Sequence, residues 1–256
     1  MPIRISPGEK LLRDRGVSRP DQIDLVEIAW DLGAKVKLRR LEGCEARIIG
    51  EGNRAIISID ETRPERRRRF SLGHEIGHWM CHRGQCLACA KEDIGRGGAG
   101  KNPKERVADR YAADLLMPGF LMREAVRGRR LDLNLIEHIA DLFNVSRLAA
   151  AVRLLEMEHE PCVLIRHSMV GMPWRLISSS VDRRWTPRLR VESDSHAYGI
   201  LSGHLGDQPR SETVSAEDWF ENDDAHRFEV AEQSFRCLDG EVLTLIVLRD
   251  EGMLAE

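Results

Sequence analysis

Apolar positions recur along this chain with two periods, and the switch between them divides it. Between Pro20-Asp21 and Gly33, residues Ile23, Leu25, Val26, Ile28, Ala29 and Leu32 follow a helical repeat that Gly33 stops. The runs VKLRRL (36–41), EARIIG (45–50) and RAIISID (54–60) then read as strands, parted by Gly43 and by the turn residues Gly50, Gly52 and Asn53. A second helix is predicted from Pro64 to about His82, with Gly84 at its exit. Its basic run, Arg66 to Arg69, reads as a solvated face.

Residues 91–103 read as a loop. Gly95, Gly97 and Gly100 there fit a dinucleotide-binding spacing, but no strand precedes them, as that motif requires. Asn102 and Pro103 look like the cap and first residue of a third helix, which ends before Pro118-Gly119. More helices follow to about 157, and IEHIADLFNVSRLAAAVRLLEM has the shape of a helix-turn-helix, with Asn144-Val145 as the turn and Ser146 as a cap. An ordinary helical hairpin explains it equally well, since Leu148, Ala149, Ala150 and Ala151 cannot read base edges.

Past Glu160 the pattern turns β-like again in CVLIRHSM and RLISSS, runs polar to about 225, and closes on a hairpin around Asp239-Gly240. The expected architecture is α+β in three parts: a small sheet with helices over 1–125, a helical, helix-turn-helix-like segment over 126–158, and an α+β domain over 159–256.

Composition narrows the class. The chain has 256 residues, enough to bury a core without metal or disulfide support. Its 39 basic and 42 acidic residues leave a formal charge of −3, which disfavours a strongly basic nucleic-acid surface. No stretch approaches the roughly 18 apolar residues of a membrane span. Six cysteines at irregular spacing, with no secretion signal, fit reduced thiols, and the expected location is cytoplasmic.

The chemistry concentrates in HEIGHWMCHRGQCLACA, residues 74–90. On a helix His74 and His78 share one face a turn apart, so both imidazoles can aim at one point, where zinc accepts nitrogen at about 2.0–2.1 Å. Glu75, rotated about a third of a turn away, is placed to take a proton from a metal-activated water. Gly77 leaves room for a neighbouring element or a substrate chain. A catalytic zinc normally takes three protein ligands, and the best third candidate is Glu105, with Asp109 one turn later to hold a ligating histidine. Two alternatives stay open: Glu105 could complete a capping box with Asn102, or His82 or Cys81 could replace a ligand.

Cys81, Cys86 and Cys89 have the front spacing of an iron–sulfur site, but the remaining cysteines, Cys44, Cys162 and Cys237, are distant. As loop residues, Cys86 or Cys89 could instead reach the metal as an inhibitory thiolate. His82 reads as helix-end packing.

RRRRFSLGHEIGHW followed by ERVADRYAADLLMP resembles the signature pair of the ImmA/IrrE zinc metallopeptidases, carried by Arg69, Phe70, His74, Glu75, Gly77, His78, Glu105, Ala108, Asp109, Tyr111, Ala112, Ala113, Leu115, Leu116, Met117 and Pro118. The likeness spans about 20–125, and 126–158 is similar to the middle helices of radiation-response members, which end in a GAF-like domain. The resemblance implies a zincin-like domain with one zinc per chain, held by His74, His78 and Glu105, with Glu75 as catalytic base. It implies a limited cut in an XRE-type helix-turn-helix repressor, relieving repression of stress, DNA-repair or mobile-element genes. RAIISID would be the edge strand onto which an extended substrate adds. Lacking a repressor-like N-terminal domain, the chain is expected to meet its substrate in trans. Oxyanion stabilisation cannot be assigned among Tyr198, His167, His196 and His204. The rival reading is a non-catalytic zinc-containing regulator, or a toxin–antitoxin-type partner acting by binding.

Overall fold

Ser6 starts the first helix of the structure, a computed structural model that describes residues 5–82, 102–238 and 240–255. Helix α1 (Pro7–Asp14) is built on a capping box: the Ser6 hydroxyl accepts the Glu9 N–H at 3.2 Å, and the Ser6 N–H donates to Glu9 Oε2 at 3.3 Å. Ser6-Pro7-x-Glu9 carries the signal for it in the sequence. Glu9 is buried, and its other carboxylate oxygen accepts the N–H of Gly119.

Helix α2 (Leu25–Asp31) begins at Asp24, whose carboxylate accepts the N–H groups of Val26 and Glu27, rather than at Pro20, which lies in a separate 3-10 turn. Gly33 then turns the chain at φ +82°, where a Cβ would sit 2.3 Å from the Asn53 carbonyl oxygen.

The three strands, β1 (Ala34–Arg39), β2 (Ala46–Glu51) and β3 (Arg54–Asp60), form one sheet in the order β1-β3-β2. RAIISID is therefore the central strand and not an edge; it pairs parallel with β1 and antiparallel with β2. Its composition explains the placement, because Ala55, Ile57 and Ile59 are all buried and only a strand covered by neighbours can hide so much apolar surface. The edges are β1 and β2.

Helix α3 (Glu65–Cys81) is buried continuously from Ser71 to Trp79. The basic run at its start is not a solvated face. Arg66 donates to Asp141 Oδ1 at 2.6 Å and to the Val145 carbonyl at 2.9 Å, Arg67 donates to Glu45 at 2.5 Å, and none of Arg66 to Arg69 is fully exposed. The head groups of Arg66 and Arg67 find acceptors, which charge alone does not predict. Helices α4 (Pro103–Leu116) and α5 (Gly119–Ala125) complete this part.

The chain divides into two compact units, one of residues 1–125 with 141–145 and one of 126–140 with 146–256. In the second, helices α6 (Leu133–Leu142) and α7 (Arg147–Glu156) accompany a five-stranded sheet of β4 (Cys162–Ser168), β5 (Trp174–Ile177), β6 (Glu212–Ser215), β7 (Glu229–Leu238) and β8 (Glu241–Leu248), ordered β5-β4-β8-β7-β6 and antiparallel throughout. The Leu133 N–H donates to Gln233 Oε1 of β7, and Ala150, Ala151, Arg153, Leu154 and Leu155 of α7 are buried. Only Glu156 of α7 is exposed. Asn144 makes its turn at φ +51°. On one face of the sheet Val163, Ile165, Val230 and Ile246 pack with Trp185, Trp219 and Phe220, the last three from the stretch whose pattern reads as polar. The α+β expectation holds in both units. No helix among the described residues is long and apolar enough to cross a membrane.

Candidate metal centre

Two glycines let α3 and α4 approach closely enough to share a site. A Cβ on Gly77 would meet the Ala108 carbonyl oxygen at 2.9 Å and its Cα at 3.0 Å, while one on Gly73 would meet Ala112 Cβ at 3.3 Å. Gly73-x₃-Gly77 thus faces Ala108-x₃-Ala112, a pairing of small residues that brings two backbones together. The neighbour that Gly77 accommodates is α4. That double spacing is present in the sequence and is the signal for which helix brings a third candidate ligand to the histidines.

The close approach assembles a triangle of donor atoms. His78 Nε2 lies 3.0 Å from His74 Nε2, His74 Nε2 lies 3.1 Å from Glu105 Oε2, and His78 Nε2 lies 3.4 Å from the same oxygen. Tetrahedral coordination with ligands at about 2.0–2.1 Å requires donor-to-donor edges of about 3.3–3.4 Å. The triangle therefore has the size to cap one small ion, and among the described residues it is the cluster able to hold a metal. All three residues are buried, as is Glu75, whose side chain is 0 % exposed.

The residues of those alternatives occupy different places. Asn102 caps α4 through the Lys104 N–H at 3.0 Å, while Glu105 turns its carboxylate to the histidines instead of back to Asn102. Cys81 is exposed at the end of α3 and is outside the cluster. His82 is outside it too, but its Nδ1 lies 3.2 Å from His78 Nδ1. Asp109 places Oδ1 at 2.9 Å from His74 Nδ1, behind the face that His74 turns to the triangle. Cys86 and Cys89, like Gly95, Gly97 and Gly100, lie outside the described residues. Tyr198, His167, His196 and His204 belong to the second unit.

Electrostatics separate the two histidines. Burial disfavours a charge on His74, but hydrogen bonds to Asp109 and Glu105 and the charges of Asp109 and Glu75 outweigh it, raising its pKa to about 9. His78 is pushed down to about 4 by burial and by the charge of His74, against the pull of Glu105. Burial would lift the Glu105 carboxyl, but the hydrogen bond from His74 and the charges of both histidines hold it below its ordinary value. The metal-free cluster thus favours a proton on His74 over one on His78, and a divalent cation would supply in its place a charge that all three groups can face.

The second half of α3 is also tied to the end of α2 and to the sheet. The Trp79 Nε1–H donates to the Leu32 carbonyl at 2.8 Å, and a Cβ on Gly50 would lie 2.4 Å from the Trp79 ring, so β2 runs directly over the residue that follows His78.

An HExxH helix, a glutamate brought to it from the next helix and a small sheet against them are the parts of a zincin-like domain able to hold a metal ion. Residues 29–155 match the Peptidase M78 family, described as the IrrE N-terminal-like domain, and through that domain the chain belongs to the ImmA/IrrE family. A solved structure of a Mycobacterium tuberculosis transcriptional regulator is similar in fold, with a TM-score of 0.60 and 12 % identity over 94 % of this chain and 86 % of that one. No curated protein matches the chain.

Proposed function

We propose that this chain is a zinc-dependent endopeptidase that makes a limited cut in a helix-turn-helix repressor of the XRE type. The observation that carries the reading is the triangle of His74, His78 and Glu105 with Glu75 buried against it. A purely structural zinc usually closes its fourth position with cysteine or histidine, whereas here three ligands are joined by a carboxylate suited to a base.

Bound zinc would supply Lewis-acid polarisation of the scissile carbonyl and of the attacking water. His74, His78 and Glu105 hold the ion, and Asp109 keeps the proton of His74 on Nδ1 so that Nε2 presents a lone pair. Glu75 takes a proton from the attacking water and passes it to the leaving amine. An extended substrate segment pairs with the free edge of β2, which takes the role that the sequence had given to RAIISID. The target is a repressor of stress, DNA-repair or mobile-element genes, met in the cytoplasm. Six cysteines at irregular spacing, expected as reduced thiols, fit that location. The second unit serves as a sensory, GAF-like module.

The test is zinc content together with cleavage of an XRE-type repressor encoded beside the gene. Glu75→Gln should keep zinc and fold and lose cleavage; cutting at the wild-type rate would sink the mechanism. The neighbour's description as a transcriptional regulator also supports the rival, a zinc-containing regulator acting by binding. That reading predicts that Glu75→Gln remains fully functional in derepression.

A further inference from the structure

His74 and His78 both turn Nε2 into the metal triangle, so each points Nδ1 away from it, and the two Nδ1 atoms meet different partners. His74 Nδ1 faces the Asp109 carboxylate at 2.9 Å. His78 Nδ1 faces His82 Nδ1 at 3.2 Å, the rings tilted by 48° with centroids 5.3 Å apart, so the contact is edge to edge through nitrogen and not a stack. His82 is held in place by its own backbone, whose N–H donates to the His78 carbonyl at 2.8 Å at the end of α3.

The proton count follows from what a ligand must be. A neutral imidazole that offers the Nε2 lone pair to a metal carries its hydrogen on Nδ1, and that hydrogen needs an acceptor. The nitrogen at hydrogen-bonding distance from His78 Nδ1 is Nδ1 of His82, which accepts when its own hydrogen sits on Nε2. We propose that His82 is a positioning residue for the metal centre: a neutral acceptor that fixes the tautomer and ring orientation of His78, as the Asp109 carboxylate does for His74. The inference rests on the zinc reading above. It gives the two histidine ligands unequal backing, one anionic and one neutral, and assigns a role to the residue that the helical pattern left as end packing.

The experiment measures zinc affinity by competition with a chromophoric chelator, on the full chain, alongside thermal melts of the metal-free protein. His82→Asn places an amide oxygen where Nδ1 was, keeping an acceptor. His82→Phe keeps a ring and removes the acceptor. Positioning predicts that His82→Phe and His82→Ala weaken zinc binding roughly ten- to hundredfold, as loss of an outer partner of a metal ligand does, while His82→Asn stays within about threefold of wild type. A mere packing role predicts the reverse order, with Phe tolerated and Asn not. His82→Phe binding zinc as tightly as wild type, or His82→Asn binding as weakly as His82→Ala, overturns the proposal. Wild type binding zinc no more tightly than His74→Ala identifies failure of the metal reading itself, and the inference falls with it.

Discussion

Glu105 Oε2 stands 3.1 Å from His74 Nε2 across 31 residues of chain. That contact gathers three residues able to hold a metal into one cluster, and its existence depends on how α3 and α4 meet.

Removing the third ligand tests that dependence directly. Glu105→Ala should bind zinc at least about a hundredfold more weakly, since a structural or catalytic zinc relies on each protein ligand. Equilibrium dialysis against a chelator measures it. Undiminished affinity would mean that another residue closes the site.

Gly77 sets the spacing of the helices. Gly77→Ala puts a methyl within 2.9 Å of the Ala108 carbonyl oxygen, where backbone must move, whereas Gly73→Ala meets Ala112 Cβ at 3.3 Å and needs only a small adjustment. Gly77→Ala should cost about 1–3 kcal/mol of stability from overpacking and weaken zinc binding as well; Gly73→Ala should do less of both. Paired thermal melts and metal titrations check the order, and equal effects would contradict the geometry.

Asp109 acts through His74. Asp109→Ala should lower zinc affinity roughly ten- to hundredfold without unfolding the chain, while Asp109→Asn should fall between it and wild type because the amide oxygen still accepts. If chelator competition finds Asp109→Ala unchanged, the 2.9 Å contact has no part in holding the ligand.

The two histidines make a signed prediction for pH. In the metal-free protein the pKa of His74 is raised from 6.5 to about 9, so its charged form stabilises the fold fully below 6.5 and that contribution fades as pH rises through 9. His78 is lowered from 6.5 to about 4, so its contribution is full above 6.5 and is lost as pH falls through 4. At about pH 6 His74 therefore carries a proton and His78 does not, and zinc must displace one proton. Calorimetry in buffers of different ionisation enthalpy should find about one proton released per ion. Two released, or none, would show that the pair does not divide its protons in this way.

What could be read from the sequence followed a local rule. His74, Glu75 and His78 are spaced by the helix itself, so their arrangement was set once α3 was recognised. Asp24, Asn102 and Ser146 cap their helices through bonds that span two or three residues, and two of the three were legible for the same reason. Arg66 and Arg67 were misplaced because their partners lie far along the chain: Glu45 for Arg67, and Asp141 and Val145 for Arg66.

By itself the sequence determined the helix that carries the metal motif, the small residues that permit a second helix to approach it, and the α+β alternation of the chain. Only the tertiary structure decided that RAIISID is central, that Glu105 turns to the histidines and away from its own helix cap, and that His82 stands behind His78. The physical reason is that backbone periodicity fixes which side chains share a face. Which faces then meet, and which nitrogen or carboxylate stands opposite which, depends on close packing between segments remote in the chain.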